Sequence, residues 1–349
     1  MTNVKTSLKR FSLGSALVVA AVALAQPATA QAPFYHGKTI QIVVGFGPGG
    51  GYDAYARLIA RWMGNHIPGN PIFVVQNMPG AGTRVAANWL YNIAPRDGTT
   101  LATIVQSTPV DQVFGEPGIK FDAARFAWIG NPIVDNLVSI TTRASGLATM
   151  ADVKAKGGLI CGSSGAGPTV SFPNTIAKLL DTKVQVVAGY PGVSAITLAM
   201  ERGELNCNGG QAWSSMKATM ANLMSEGKLN VIVQWGAEAD PDISETMGTK
   251  VPLVQDFARS EPERAALRLL GSTAALSRPL LGPPDMPAER IATLRAAFDA
   301  TMKDPAFLAE AKKAKMDIKP VPGVEVQRIV EALVRSRPED VALAAELVK

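Results

Sequence analysis

Several short stretches bring together residues that could hold an anion. Gly45-Phe46-Gly47-Pro48-Gly49-Gly50 matches G-x-G-x-x-G and falls between an expected strand and an expected helix, as a dinucleotide site requires. Such a site also wants an acidic residue about 20 positions on to hold the ribose. Here the next strand ends in Gln76-Asn77, so no cofactor is expected. The physical property survives: glycines after a strand let backbone N–H groups converge at a helix N-terminus, where unpaired donors and the helix dipole favour an anion. Residues 49–53, 80–83 and 163–169 all have this character, so the chemistry expected of them is a grip on a small carboxylate.

Catalytic constellations are poor by comparison. Gly162-Ser163-Ser164-Gly165-Ala166 narrowly misses the nucleophile elbow G-x-S-x-G, and both histidines, His36 and His66, lie early in the chain. An exported α/β hydrolase using Ser164 is the alternative these residues leave. No metal site is expected, because Cys161 and Cys207 are far apart in sequence and far from either histidine. The flanks of both cysteines read as strand ends running into loops. Strands one and three of a doubly wound half can be neighbours, so either a disulfide or two buried thiols fits.

The elements that must position these loops alternate along the chain. Thr39-Ile40-Gln41-Ile42-Val43-Val44 is a short β-branched run, expected as a buried strand. Leu58, Ile59, Trp62 and Met63 follow at helical spacing, with Asp53 and Arg57 one turn apart. A strand over residues 71–76, a helix carrying Ala86, Leu90 and Ile93, and a strand over residues 100–105 complete a β-α-β-α-β unit. The pattern restarts at residues 159–161, with further strands expected at 184–187, 204–207 and 229–233. Between the halves, residues 128–134 are apolar and suit crossing strands better than a flexible tether. The C-terminal part is helical, with Ile291, Leu294, Phe298 and Met302 on one face and Asp304-Pro305 opening a further helix.

The chain has 349 residues, 47% hydrophobic and only 18% charged, against about 25% charged in ordinary soluble domains. Part of the excess lies in residues 1–30, where Lys5, Lys9 and Arg10 precede an apolar stretch and the small-residue site Ala28-Thr29-Ala30, the layout of a cleaved secretory signal. Loss of those three basic residues, with no acidic one, lowers the formal net charge from +5 to +2. The remaining Lys and Arg are scattered among acids, which argues against a nucleic-acid partner.

Gly37-Lys38-Thr39-Ile40-Gln41-Ile42-Val43-Val44, Pro48-Gly49-Gly50-Gly51-Tyr52-Asp53 with Arg57, Asn77-Met78-Pro79-Gly80-Ala81-Gly82 and Ala94-Pro95-Arg96-Asp97-Gly98-Thr99-Thr100-Leu101 together resemble the Bug family. These are the TctC-type extracytoplasmic solute receptors of tripartite tricarboxylate transporters. The resemblance implies an α/β, type II periplasmic binding protein fold: two doubly wound lobes joined by a two-crossing hinge. On that reading residues 31–130 and 260–349 form lobe one and residues 131–259 lobe two. It further implies a periplasmic monomer that takes a small organic carboxylate in the interlobe cleft, without catalysis, and delivers it to large and small membrane subunits. A receptor serving a sensor protein is the alternative. The implied ligand-binding set is Phe46, Gly49, Gly50, Asp53, Gly80, Ala81, Gly82, Thr83 and Ser107 in lobe one. Lobe two would add Ser163, Ser164, Thr169, Tyr190 and Gln211. Thr83 departs from the glycine common in the family. Arg84 beside it is either a cation facing the cleft or a solvated side chain.

Overall fold

The structure, a computed structural model, describes residues 32–163, 167–190 and 192–349. The expected leader and Ser164 lie outside them. Eleven strands among the described residues form two sheets. In chain order they are β1 (Thr39–Val44), β2 (Ile72–Asn77), β3 (Thr100–Thr103), β4 (Ala127–Asn131), β5 (Leu137–Thr142), β6 (Leu159–Ser163), β7 (Val184–Ala188), β8 (Cys207–Ala212), β9 (Leu229–Trp235), β10 (Leu280–Gly282) and β11 (Val321–Pro322).

Sheet one runs β2-β1-β3-β10-β4-β11 and sheet two β7-β6-β8-β5-β9. The two orders share one plan. In each, the first strand of the half sits between the second and the third. In each, the strand that has just crossed from the other lobe, β10 or β5, is inserted antiparallel before the fourth. The fold is therefore two doubly wound lobes joined by two crossings. Among the described residues no helix is long and apolar enough to span a membrane.

The β-branched run of β1 explains its central place. Ile40, Ile42 and Val44 point to one face, against Leu58, Ile59, Met63, Leu294 and Phe298. Val43 points to the other, with Ala86 and Leu90. Over Ile42-Val43-Val44 the strand is buried on both faces, which needs consecutive apolar residues. Two expectations change. Ile93, placed on the apolar face of its helix, is 70% exposed, because Arg84–Asn92 has already ended. The strand expected at 204–207 instead runs Cys207–Ala212. Asn208-Gly209-Gly210 reads as a turn, yet both glycines are in the ladder because the helix Pro168–Leu180 presses on them. A Cβ at Gly209 would stand 2.1 Å from Pro173 and one at Gly210 2.6 Å from Pro168.

Cys161 and Cys207, in register on the parallel pair β6 and β8, are joined by a disulfide. The last helix, Pro338–Val348, lies on lobe two: Asn174 Nδ2 donates to Val348 O (3.0 Å) and Thr175 Oγ1 to Leu347 O (3.2 Å). This differs from the expected grouping of residues 260–349 with lobe one. An apolar helix face does not reveal in sequence which sheet it covers.

Candidate functional site

Topology decides which loops meet. The first crossing leaves the carboxyl end of β4, which is parallel to β1 and β3, and enters the amino end of β5, which is antiparallel to β8. The carboxyl ends of β1–β3 and of β6–β8 therefore face each other across the hinge. Ligands of doubly wound sheets bind at such carboxyl ends, where the strand order reverses.

Helix starts along these edges share a property. The helices Gly51–Trp62, Arg84–Asn92, Pro168–Leu180 and Val193–Glu201 follow Gly50, Thr83, Gly167 and Gly192, none with a side-chain cap. Thr149, Asp240, Ser260 and Asp304 cap helices with side chains, whereas the helices that start at Ala288, Gly323 and Pro338 also lack a side-chain cap, so it is the placement of the four on facing strand edges that sets them apart. An uncapped N-terminus presents backbone donors to whatever anion approaches.

In lobe one, side chains hold the first loop in place. Asp53 is buried, and its Oδ2 accepts from Gly49 N (3.0 Å) and Arg57 Nε (2.9 Å). Its Oδ1 accepts from Asn77 Nδ2 (2.9 Å) and lies 2.9 Å from Arg57 Nη2. Asn77 Nδ2 also donates to Phe46 O (2.9 Å). Burial pushes the Asp53 carboxyl up, but the bonds from Arg57, Gly49 and Asn77 outweigh it and hold it at about 2. Asp53 and the Gly49 N–H are thus engaged within the protein. They fix the loop from which other amides can bind. Phe46 meanwhile lies against Tyr52, ring centroids 4.5 Å apart.

The second loop carries strained backbone that its surroundings hold in place. Gly80, Ala81, Gly82 and Thr83 all have positive φ, of 145°, 46°, 61° and 72°. For a β-branched residue such as Thr83 this is unusual and persists only where the surroundings impose it. Thr83 is 1% exposed, and its Oγ1 accepts from Val105 N (3.1 Å). Its Cβ packs so closely on Gly45 that a side chain there would come within 2.6 Å. The loop after β3, residues 104–107, meets the others through Tyr52, whose Oη accepts from Gln106 N (3.2 Å). Ser107 Oγ donates to Asp111 Oδ2 (3.1 Å), and burial pushes the Asp111 carboxyl up to about 6. Arg84 lies 3.6 Å from Glu116.

In lobe two, Ser163 Oγ and Thr169 Oγ1 are buried and 3.1 Å apart. Tyr190, half-buried, donates its N–H to Ser163 O (3.2 Å). Gln211 is buried and satisfied within its own lobe, accepting from Asn208 Nδ2 (2.9 Å) and donating to Thr219 Oγ1 (3.1 Å). His66 pairs with Asp304 at 3.0 Å. No group of three or more metal-ligating side chains occurs among the described residues.

Sequence reading names Asn77 and Tyr52 only within their motifs and passes over three further residues that knit the loops together: Gln106 and the buried pair Asp135 and Arg278. The only advance signal for that pair was a charge embedded in each apolar stretch, a position where charges are rarely buried unless paired.

No family model matches the chain. It is 27% identical over 246 residues, 64% of its own length and 67% of the other's, to the UPF0065 protein in the gbd 5′ region of Cupriavidus necator. A TctC solute-binding protein from Polaromonas superposes with a TM-score of 0.63 at 17% identity, covering 90% of this chain and 99% of that one. MatC from Rhodopseudomonas palustris with bound malate gives 0.62 at 19%, over 87% and 98%. A second R. palustris protein, with adipate, gives 0.65 at 19%, over 88% and 97%. These likenesses bear out, at the level of the fold, the resemblance carried by the glycine loops: the chain has the architecture of the TctC-type solute-binding proteins.

Proposed function

We propose that this chain is an exported solute receptor of the Bug, or TctC, family that closes on a small organic carboxylate between its lobes. It then delivers the acid, as a periplasmic monomer, to the large and small membrane subunits of a tripartite tricarboxylate-type transporter. The observation that carries this reading is the set of four uncapped helix starts on facing strand edges, with the lobe-one loops locked by Asp53 and Thr83. Charge-assisted bonds from backbone N–H groups to a carboxylate are strong, and their strength grows as the cleft closes and excludes water. Each lobe supplies part of the site, so the ligand favours the closed arrangement by its differential affinity for it. Malate and adipate, bound by proteins of this fold, are the first acids to test.

Protein stripped of ligand by unfolding and refolding should bind at least one acid from a mono-, di- and tricarboxylate panel. At a 100-fold excess over Kd the melting temperature should rise by about 5 °C or more. Silence across the panel in both thermal shift and calorimetry would sink the receptor reading. N-terminal sequencing of the exported protein should begin just after Ala30.

A further inference from the structure

The two crossings are sewn together before they reach either lobe. Asp135 N donates to Ala274 O (3.2 Å), Asn131 Nδ2 to Ala275 O (2.8 Å) and Ser277 Oγ to Asp135 O (3.2 Å), while Arg278 N donates to Asn131 Oδ1 (2.8 Å). The crossings thus form one buried unit. From it the Arg278 guanidinium reaches into both lobes.

The Arg278 side chain is 4% exposed. Toward lobe two, Nη2 donates to Ser215 Oγ (3.2 Å) in the helix Trp213–Thr219. Toward lobe one, the guanidinium lies over the Tyr52 ring, 4.6 Å from its centroid, and against Gly51, where a Cβ would stand 3.1 Å from Nη2. Within the hinge, Nη1 donates to Ser277 O (2.6 Å), and Asp135 Oδ2 supplies the countercharge at 3.8 Å. Asp135 is itself tied to lobe two by Ser214 N (3.1 Å) and Ser214 Oγ. Nε has no partner. Such a pair is poorly arranged for stability alone, since a buried ion pair offsets its desolvation only with close geometry and all donors satisfied. It is well arranged to sense lobe angle. Rotating one lobe separates the cation from either Ser215 or Tyr52, and a desolvated charge tolerates such a loss badly.

We propose that Arg278, with Asp135, is the positioning pair of the hinge, holding the lobes at one preferred angle. The inference rests on the receptor reading only in requiring lobes that can move. Its test needs no ligand.

Spin labels placed by Glu289→Cys in lobe one and Glu226→Cys in lobe two, both exposed positions, report the interlobe distance by pulsed electron resonance. The parent protein should give one narrow distribution. Arg278→Met or Asp135→Asn alone strands a buried charge and should lower the melting temperature by about 6 °C or more. The double variant Arg278→Met/Asp135→Asn leaves no stranded charge and should regain most of that loss, yet keep a broadened or two-peaked distance distribution. A double variant with the parent's narrow distribution would show that the pair merely fills space, and the proposal would fall. Should the double variant not fold, Arg278→Lys, which keeps the charge and loses the planar fork, is read the same way: broadening supports the proposal and a parental distribution overturns it.

Discussion

Lobe one fixes its strand-to-helix loops with side-chain hydrogen bonds; lobe two adds to its Ser163–Thr169 hydrogen bond a disulfide and prolines packed on glycine backbone. In lobe one, Asp53, Arg57 and Asn77 form a hydrogen-bonded knot beneath residues 45–50, and Thr83 ties the second loop to Gly45 and Val105. In lobe two, Gly209 and Gly210 admit Pro173 and Pro168 to within touching distance of β8, and a disulfide joins β6 to β8. The same task, fixing strand-to-helix loops, is thus solved in two ways. One arrangement should fail when a charge is removed, the other when a covalent link is cut or volume is added.

The largest effect expected is in lobe two. The disulfide closes a loop of sequence separation 46, so replacing both cysteines by alanine should cost about 2–4 kcal/mol in denaturant unfolding. Thiol titration of the denatured, unreduced protein should find no free thiol; two would remove the link from the comparison. Next comes Asp53→Ala, which removes the acceptor of the Gly49 N–H and one partner each from Asn77 and Arg57, leaving Asn77 bonded to Phe46 O and Arg57 to Asn77 Oδ1. About 1–3 kcal/mol is expected, together with weaker carboxylate binding. A loss below about 0.5 kcal/mol would mean that the knot is incidental.

Added volume distinguishes the lobes more finely. Gly209→Ala drives a methyl into the Pro173 ring and Gly45→Ala drives one into Thr83, each costing about 1–3 kcal/mol. Only the lobe-one change should be recovered by Thr83→Gly, which clears the clash and suits the left-handed φ. The smallest effect concerns pH. Asp111 titrates at about 6 in the fold against an ordinary 3.8, so its contribution to stability is full below 3.8 and fades as pH rises through 6. Asp111→Asn should flatten that decline in melting temperature. Asp53, held at about 2, acts in the opposite sense: its contribution is present above 3.8 and disappears as pH falls through 2.

The strand, glycine-loop and helix alternation was legible because its signals are local: β-branched runs, helical spacing and Gly-rich breaks. β8 was misplaced because its glycines serve a contact with Pro168 and Pro173, some 36 or more residues earlier, that no local pattern announces. Asp53 in the first turn after a glycine loop reads as a ligand contact. Its engagement with Asn77, 24 residues on, emerges only when β1 and β2 pair. Arg278 and Asp135 lay beyond local reading altogether, since the crossing that joins them spans more than 140 residues.

The inserted strands also set an order of assembly. Sheet two draws every strand from residues 137–235, whereas sheet one cannot close until β10 arrives at residue 280 to fill the gap between β3 and β4. Pairings that distant in sequence form late, and until they do, β3 and β4 present open edges to neighbouring chains. During refolding, the strands of sheet two should gain amide protection before those of sheet one, and aggregation should trace to the open edges of β3 and β4. A chain ended before residue 280 would carry an intact second sheet beside a first that stays permanently split.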